Sequence, residues 1–388
     1  AQRELTMRVA LGAPLIASKG FSAPEVAATY MRARELCQQL GETPSLFPVL
    51  FRMRSYYLVH GEIETARELG GQMLRLAENT GDDHFLIEGH YAVGAALFYL
   101  GEFAIARNHF HRMSALYVKE RHSSHAYLYG QEPGVASLSY EAWVLGFLGY
   151  PTQALVKIQQ ALKLAEDTAH PFSQGFAAVF AALFFGQRGD LENTLRCAEM
   201  ALQVSREHGF PLWEANGIIM RGWAFARMGR HEEGIAMIPE GLARYRAIGA
   251  ELVRPHFLGL LAEVYGEAGQ PETGLTVLAE AFAIVQKNHL RNFEAADLYR
   301  LKGELLHRAS PDNLPEAMTN LQEALRIART QQSKAAELRA AIALSRILRD
   351  QGNRHEAREQ LAKIRGWFAE GFETRDLENA QAMLAELG

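Results

Sequence analysis

Cysteine is nearly missing from this sequence: 388 residues carry two, Cys37 and Cys197. They stand far apart and without metal-ligand spacing. This excludes a disulfide scaffold and a C-x-x-C motif, and it fits a reducing, cytoplasmic compartment. No run of 18 or more apolar residues escapes polar interruption, so no membrane span is expected. Positive charge is not in excess. Lys and Arg number 40 against 45 Asp and Glu, a net charge of −5 that argues against a broad nucleic-acid-binding face. The nucleotide-binding sequence G-x-x-x-x-G-K-[ST], the dinucleotide fingerprint G-x-G-x-x-G and the zinc motif H-E-x-x-H are absent; His231-Glu232 and His355-Glu356 lack a second histidine at the needed spacing. No cofactor, metal or catalytic residue is therefore assigned, and the protein is read as a non-enzyme. Pro-rich and Gly-rich linkers are missing. So is an initiating Met, which fits a piece excised from a longer protein or a processed one, and the amphipathic start over residues 3–17 favours excision.

What the sequence does have is a repeat. The turn glycines Gly149, Gly189, Gly229 and Gly269 recur every 40 residues, the mark of a helical-repeat array. Phasing on these turns predicts helix pairs at 3–18 and 24–40, 45–60 and 62–79, 83–100 and 102–120, 134–148 and 151–169, and 171–188 and 190–208. It continues with 211–228 and 231–248, 252–268 and 271–288, 291–308 and 314–330, and 333–350 and 353–369. A helix over 374–387 would cap the end. Ser22 is a candidate helix cap, and Pro24 and Pro151 suit first-turn positions, where a missing N–H costs nothing. Pro239 should kink or break its helix.

Two columns of small residues support the phasing. Seven positions before each turn stand Ala13, Arg54, Gly94, Ala142, Ala182, Gly222, Ala262, Gly303 and Ser345. Five positions after it stand Ala27, Ala66, Ala106, Ala154, Thr194, Gly234, Gly274, Ala317 and Ala357. Antiparallel helices that cross closely need small side chains there, and close packing is the natural reason to keep glycine in mid-helix. The reading is one all-α domain over 1–388, a right-handed α-solenoid of about nine helical hairpins plus the capping helix.

Small residues at these places, a turn glycine and aromatic or leucine fillers resemble the tetratricopeptide repeat. The units here, about 40 residues, exceed its common length. The longer variety is similar to that in the sensor regions of large bacterial signal-transduction ATPases, including maltose-regulator-type activators. The stretches YGQEPGVASLSYEAWVLGFLGYPTQAL, HPFSQGFAAVFAALF, HGFPLWEANGIIMRGWAFARMG and GAELVRPHFLGLLAEVYGEAGQPETGLTVLAEA carry the resemblance to predicted ATPases whose C-terminal repeats follow nucleotidyl-cyclase, kinase or DNA-binding modules. The resemblance implies a sensing or partner-binding arm, acting in cis with an ATPase or output domain outside this chain. Its partner would be a protein or peptide segment, or a small-molecule effector. The alternative is a freestanding scaffold or adaptor that binds a partner peptide.

In such an array the first helix of each pair lines the concave face. Residues 13, 10, 6, 3 and 2 positions before each turn share that face, because these offsets return to one side of a helix. The candidate contacts are Tyr91 and Tyr99 in the third unit, Trp143 in the fourth, and Asn216, Trp223 and Arg227 in the sixth. His256 and Glu263 follow in the seventh, with Arg300 and Glu304 in the eighth. Gly101 and Gly149 stand 48 residues apart, and the excess falls in 121–134, an expected irregular insert whose Tyr127 and Tyr129 could form a contact surface. His109, His111, His122 and His125 read as surface and loop histidines. The acidic residues at 62, 64, 82 and 83 read as ordinary helix-start acids.

Overall fold

A computed structural model describes residues 1–19, 23–41, 46–287 and 292–388; the described residues form helices and turns with no strand. The helices pair along the chain: α1 (Gln2–Lys19) with α2 (Pro24–Leu40), α3 (Phe47–Val59) with α4 (Ile63–Thr80), and α5 (Asp83–Tyr99) with α6 (Phe103–Leu116). Two short helices follow, α7 (Lys119–His122) and α8 (His125–Tyr129). Pairing resumes with α9 (Pro133–Leu148) and α10 (Pro151–Thr168), α11 (Pro171–Arg188) and α12 (Leu191–His208), and α13 (Pro211–Arg227) and α14 (His231–Ala247). It ends with α15 (Arg254–Glu267) and α16 (Pro271–Lys287), α17 (Ala295–Ala309) and α18 (Leu314–Thr330), α19 (Lys334–Asp350) and α20 (Arg354–Arg365), and then α21 (Arg375–Leu387). Ser22 lies outside the described residues, as does the Ala13 side chain.

The two helices of a pair differ in burial. Fourteen of the sixteen residues of α9 are buried, against four of the eighteen of α10. The first helices form an inner layer, buried nearly all round in α5, α9 and α11 but carrying charged side chains in α17 and α19, and the second helices form an amphipathic outer one. Turn glycines with positive φ close the pairs from α3 and α4 to α15 and α16, and again α19 and α20, while a 3-10 turn over Pro311–Asn313 joins α17 to α18. Gly189 has φ 79°, a left-handed conformation, and Asp190 then starts α12 by accepting from the Asn193 N–H at 3.1 Å.

The small-residue columns sit at the crossings. A Cβ on Gly222 would come 2.8 Å from Met237, one on Gly234 2.6 Å from the Gly222 carbonyl oxygen, and one on Gly303 2.9 Å from the Ala317 carbonyl oxygen. Arg54 is the large member of its column. It is fully buried, with its guanidinium 4.5 Å from the Tyr91 ring, so it packs on α5. α14 does not break at Pro239. The proline leaves the Ile235 carbonyl without its helical donor, but Gly234 and Gly241 hold the helix against α13 on both sides of that position.

Successive turns of the superhelix touch. The backbone N–H groups of Glu251 and Leu252 both donate to the Val59 carbonyl, at 2.9 and 3.2 Å, and Phe293 N–H donates to the Tyr99 carbonyl at 3.0 Å. Ser333 Oγ reaches the Phe147 carbonyl and Arg188 pairs with Glu373 at 2.9 Å. Glu370 accepts from the Thr152 and Gln153 N–H groups at 3.1 Å each, and so caps α10 from far along the chain. Partners 185 to 189 residues apart recur, so between four and five repeats complete a turn. These contacts explain where the helix limits differ from the sequence reading. The loops before α15 and α17 are drawn onto the earlier turn, so those helices begin at 254 and 295 rather than 252 and 291. α20 ends at 365 rather than 369, because Trp367 turns away to the Tyr150 ring, 5.5 Å between centroids.

Candidate functional site

The inner face has two unlike halves. In the third and fourth units it is filled. Phe293, carried in by the loop before α17, lies 5.4 Å from Phe98, 5.5 Å from Tyr99 and 6.3 Å from Trp143. Trp143 donates its indole N–H to the Phe180 carbonyl at 3.0 Å, and Tyr140 bonds Tyr99 hydroxyl to hydroxyl at 3.2 Å. Tyr91, Tyr99 and Trp143 are thus core residues. Asn216 is buried too, donating to the Leu212 carbonyl of its own helix at 2.6 Å. These four do not border the open part of the face. For the three aromatic residues the physical reason is the closure of the superhelix, which seals this half with an aromatic plug; Asn216, on α13, is instead turned back onto its own helix.

The other half keeps a cavity of about 280 Å³, lined from α11, α13, α15, α17, α19 and α21. Trp223, Arg227, His256, Glu263, Arg300 and Glu304 come together there. Trp223 is buried at 4 % exposure, yet its indole edge borders the cavity and donates to Glu263 at 3.1 Å. Arg227 bridges Glu267 and Glu263, and its guanidinium lies 5.7 Å from the Trp223 ring. Burial raises the Glu267 carboxyl, against the pull of Arg227.

At the centre stands Asp297. Arg339 grips it with two parallel bonds, 2.9 and 2.6 Å, and Arg300 adds a third at 3.0 Å. Burial alone would raise this carboxyl; Arg339 and Arg300 outweigh burial and hold it well below the usual carboxylate range. Arg300 continues to Glu304 at 2.9 Å, and Arg339 to Asp376 at 3.2 Å. Farther along, His256 Nδ1 lies 3.2 Å from Glu294 Oε2. The walls are charged, with ion pairs already formed, and can present hydrogen bonds to an extended polar ligand.

Sequence reasoning left out Arg339, Arg346, Arg375 and Asp376. For α19 the signal was present. Arg339, Ile342 and Arg346 stand 13, 10 and 6 positions before Gly352, the same offsets that pick out the other linings. α21 follows no turn glycine of its own pair, so nothing phased its face.

The insert departs from the sequence reading. His122 and His125 are fully buried rather than surface groups. His125 Nδ1 meets Glu88 Oε1 at 2.7 Å, and its Nε2 meets His84 Nδ1 at 2.8 Å. His122 Nδ1 accepts from the Val118 N–H at 3.0 Å. These rings pin α7 and α8 onto α5. Their burial follows from the extra residues folding back as short helices instead of looping into solvent. Tyr129 is half-buried against Phe51, with centroids 4.8 Å apart, while Tyr127 is 82 % exposed. Among the described residues, no three His, Cys, Asp or Glu side chains are placed to hold a metal ion. No helix of the described residues is long and apolar enough to cross a membrane.

Inner first helices, glycine-closed turns and tight crossings define an α-solenoid of tetratricopeptide-like hairpins. Solved structures share this fold. A Rap protein complexed with competence and sporulation factor superposes with a TM-score of 0.61 at 13 % identity, covering 100 % of both chains. NprR in complex with its cognate peptide NprX gives 0.52 at 11 % identity over 99 % of each chain. No protein-family model matches the sequence. A curated relative, an uncharacterized protein of Rhizobium meliloti (strain 1021), is 22 % identical over 87 % of this chain. The chain spans 33 % of that relative's length.

Proposed function

We propose that this chain is a non-catalytic, cytoplasmic regulatory module, one superhelical domain over 1–388, that binds a peptide or protein segment in the cavity between α11 and α21. The observation that carries the reading is the unequal filling of the inner face. One half is sealed by aromatic side chains, and the other keeps open space lined by side chains already fixed in ion pairs. Such preorganised polar walls favour an extended ligand, because little side-chain freedom is lost on binding. The fold is shared with two proteins solved in complex, one with competence and sporulation factor and one with its cognate peptide, which supports the same use here.

The test is affinity selection from a random-sequence peptide pool, followed by hydrogen exchange. Bound peptides should slow exchange in α13, α15 and α17 and leave α2 to α4 unchanged. Protection elsewhere, or no enrichment, would overturn the reading. We further propose that the segment acts in cis with a signalling ATPase, as the resemblance of its repeats to ATPase sensor regions suggests. The intact mass of the natural polypeptide tests this: a chain far heavier than 43.2 kDa with an upstream nucleotide-binding loop is expected. A natural chain without such a loop would leave the freestanding adaptor.

A further inference from the structure

The cavity's charges are unevenly satisfied. Arg227, Arg300 and Arg339 are tied to Glu263, Glu267, Asp297, Glu304 and Asp376. Setting these aside leaves two unlike ends. At one end Glu294 is 4 % exposed, and while Oε2 faces His256, Oε1 has no hydrogen-bond partner. A buried carboxylate oxygen without a donor is costly, and a donor arriving with a ligand relieves that cost. At the other end Arg308 and Arg346 line the cavity and are exposed, and neither of them takes part in an ion pair among the described residues. Glu294 directly precedes α17 and Arg308 lies in its last turn, which sets the two ends roughly 21 Å apart along the helix.

We infer that the cavity takes a peptide in one direction, with a cationic amine at Glu294 and carboxylates at Arg308 and Arg346. The inference rests on the peptide-binding reading and adds the ligand's charge pattern and polarity. The amine can be a free amino terminus or a lysine side chain, and the carboxylate a free carboxyl terminus or an acidic side chain. An extended chain advances about 3.3 Å per residue, so hexapeptides are the matching probe.

The experiment uses the full chain and random hexapeptide pools in four forms: free or acetylated at the amino end, and acid or amide at the carboxyl end. Enrichment is read by mass spectrometry, and composition separates termini from lysine and acidic side chains. The expected result is enrichment of peptides bearing an amine near the start and carboxylates near the end. Glu294→Gln should weaken amine-bearing peptides about tenfold, and the exposed Arg346→Gln should weaken carboxylate-bearing ones several-fold, more at low salt than at high. Equal enrichment of acetylated, lysine-free, amidated peptides that still protect α15 and α17 would overturn the inference and leave peptide binding standing. So would full affinity in both variants. No enrichment from any pool would overturn both.

Discussion

Two glycine-to-alanine changes should move stability in opposite directions. Both positions lie inside helices, where alanine is favoured over glycine by about 1 kcal/mol. At Gly71 in α4 a new Cβ would meet one atom, the end of the flexible Arg75 side chain, at 3.6 Å. Nothing opposes the backbone gain, so Gly71→Ala should stabilise by roughly 0.5–1 kcal/mol. At Gly234 in α14 the same methyl would stand 2.5 Å from the Ala226 Cβ and 2.6 Å from the Gly222 carbonyl oxygen. Neither neighbour can swing away, since one is a methyl fixed on its helix and the other is backbone. The hairpin must open by several tenths of an ångström, which costs about 1–3 kcal/mol and exceeds the helical gain. Repeat arrays do not always unfold in one step, so the assay should be local: native-state hydrogen exchange, read separately over α4 and over α13 with α14. Faster exchange in α13 and α14 for Gly234→Ala, with slower exchange in α4 for Gly71→Ala, is the expected pair. Stabilisation by both would refute the crossing argument and leave helix propensity as the whole effect.

Burial holds His90 neutral beside His109 and lowers its pKa to about 4, whereas the unfolded chain takes up that proton near 6.5. The unfolded state thus binds more protons between these values, and His90 alone should cost about 3 kcal/mol of stability as pH falls from 7 to 4. Urea titrations of His90→Gln should lose less over that range; curves parallel to the wild type would refute the assignment. Arg339→Ala leaves Asp297 buried with Arg300 as its remaining ion-pair partner, and should destabilise by about 3 kcal/mol or more in thermal melts. A loss below about 1 kcal/mol, the exposed-pair range, would show that water reaches Asp297. Phe293→Ala should cost about 3–5 kcal/mol and speed exchange in α5 and α9, because it removes the ring on which Phe98, Tyr99 and Trp143 converge. Unchanged exchange there would mean the plug does not depend on it.

The repeat was legible because local chemistry enforces it. Turn glycines need a left-handed conformation, and Gly222, Gly234 and Gly303 need room at crossings; both demands leave a fixed residue type at a fixed interval. The lining offsets were legible for the same reason, since they follow from helix geometry alone. What the sequence does not show is how one superhelical turn meets the next. That contact depends on the summed rotation of several pairs, and no short-range pattern reports it. Tyr91, Tyr99 and Trp143 carry the right offsets for an open face and lie in the plug all the same. Phe293, in a loop between repeats, gave no signal of its destination. His122 and His125 were misjudged because their partners, Glu88 and His84, stand on an earlier helix at no characteristic spacing.

The contacts between turns also constrain how this chain can change in length. An open solenoid can gain or drop a unit, since each unit meets its neighbours alone. Here Val59 must find Glu251 and Leu252, and Phe147 must find Ser333, at separations that count out a set number of units. Removing one unit from between them would bring the wrong loop to each of these carbonyls at once. The array is gauged like a coil wound to a fixed thread, and its number of repeats is as much a part of the fold as the helices are.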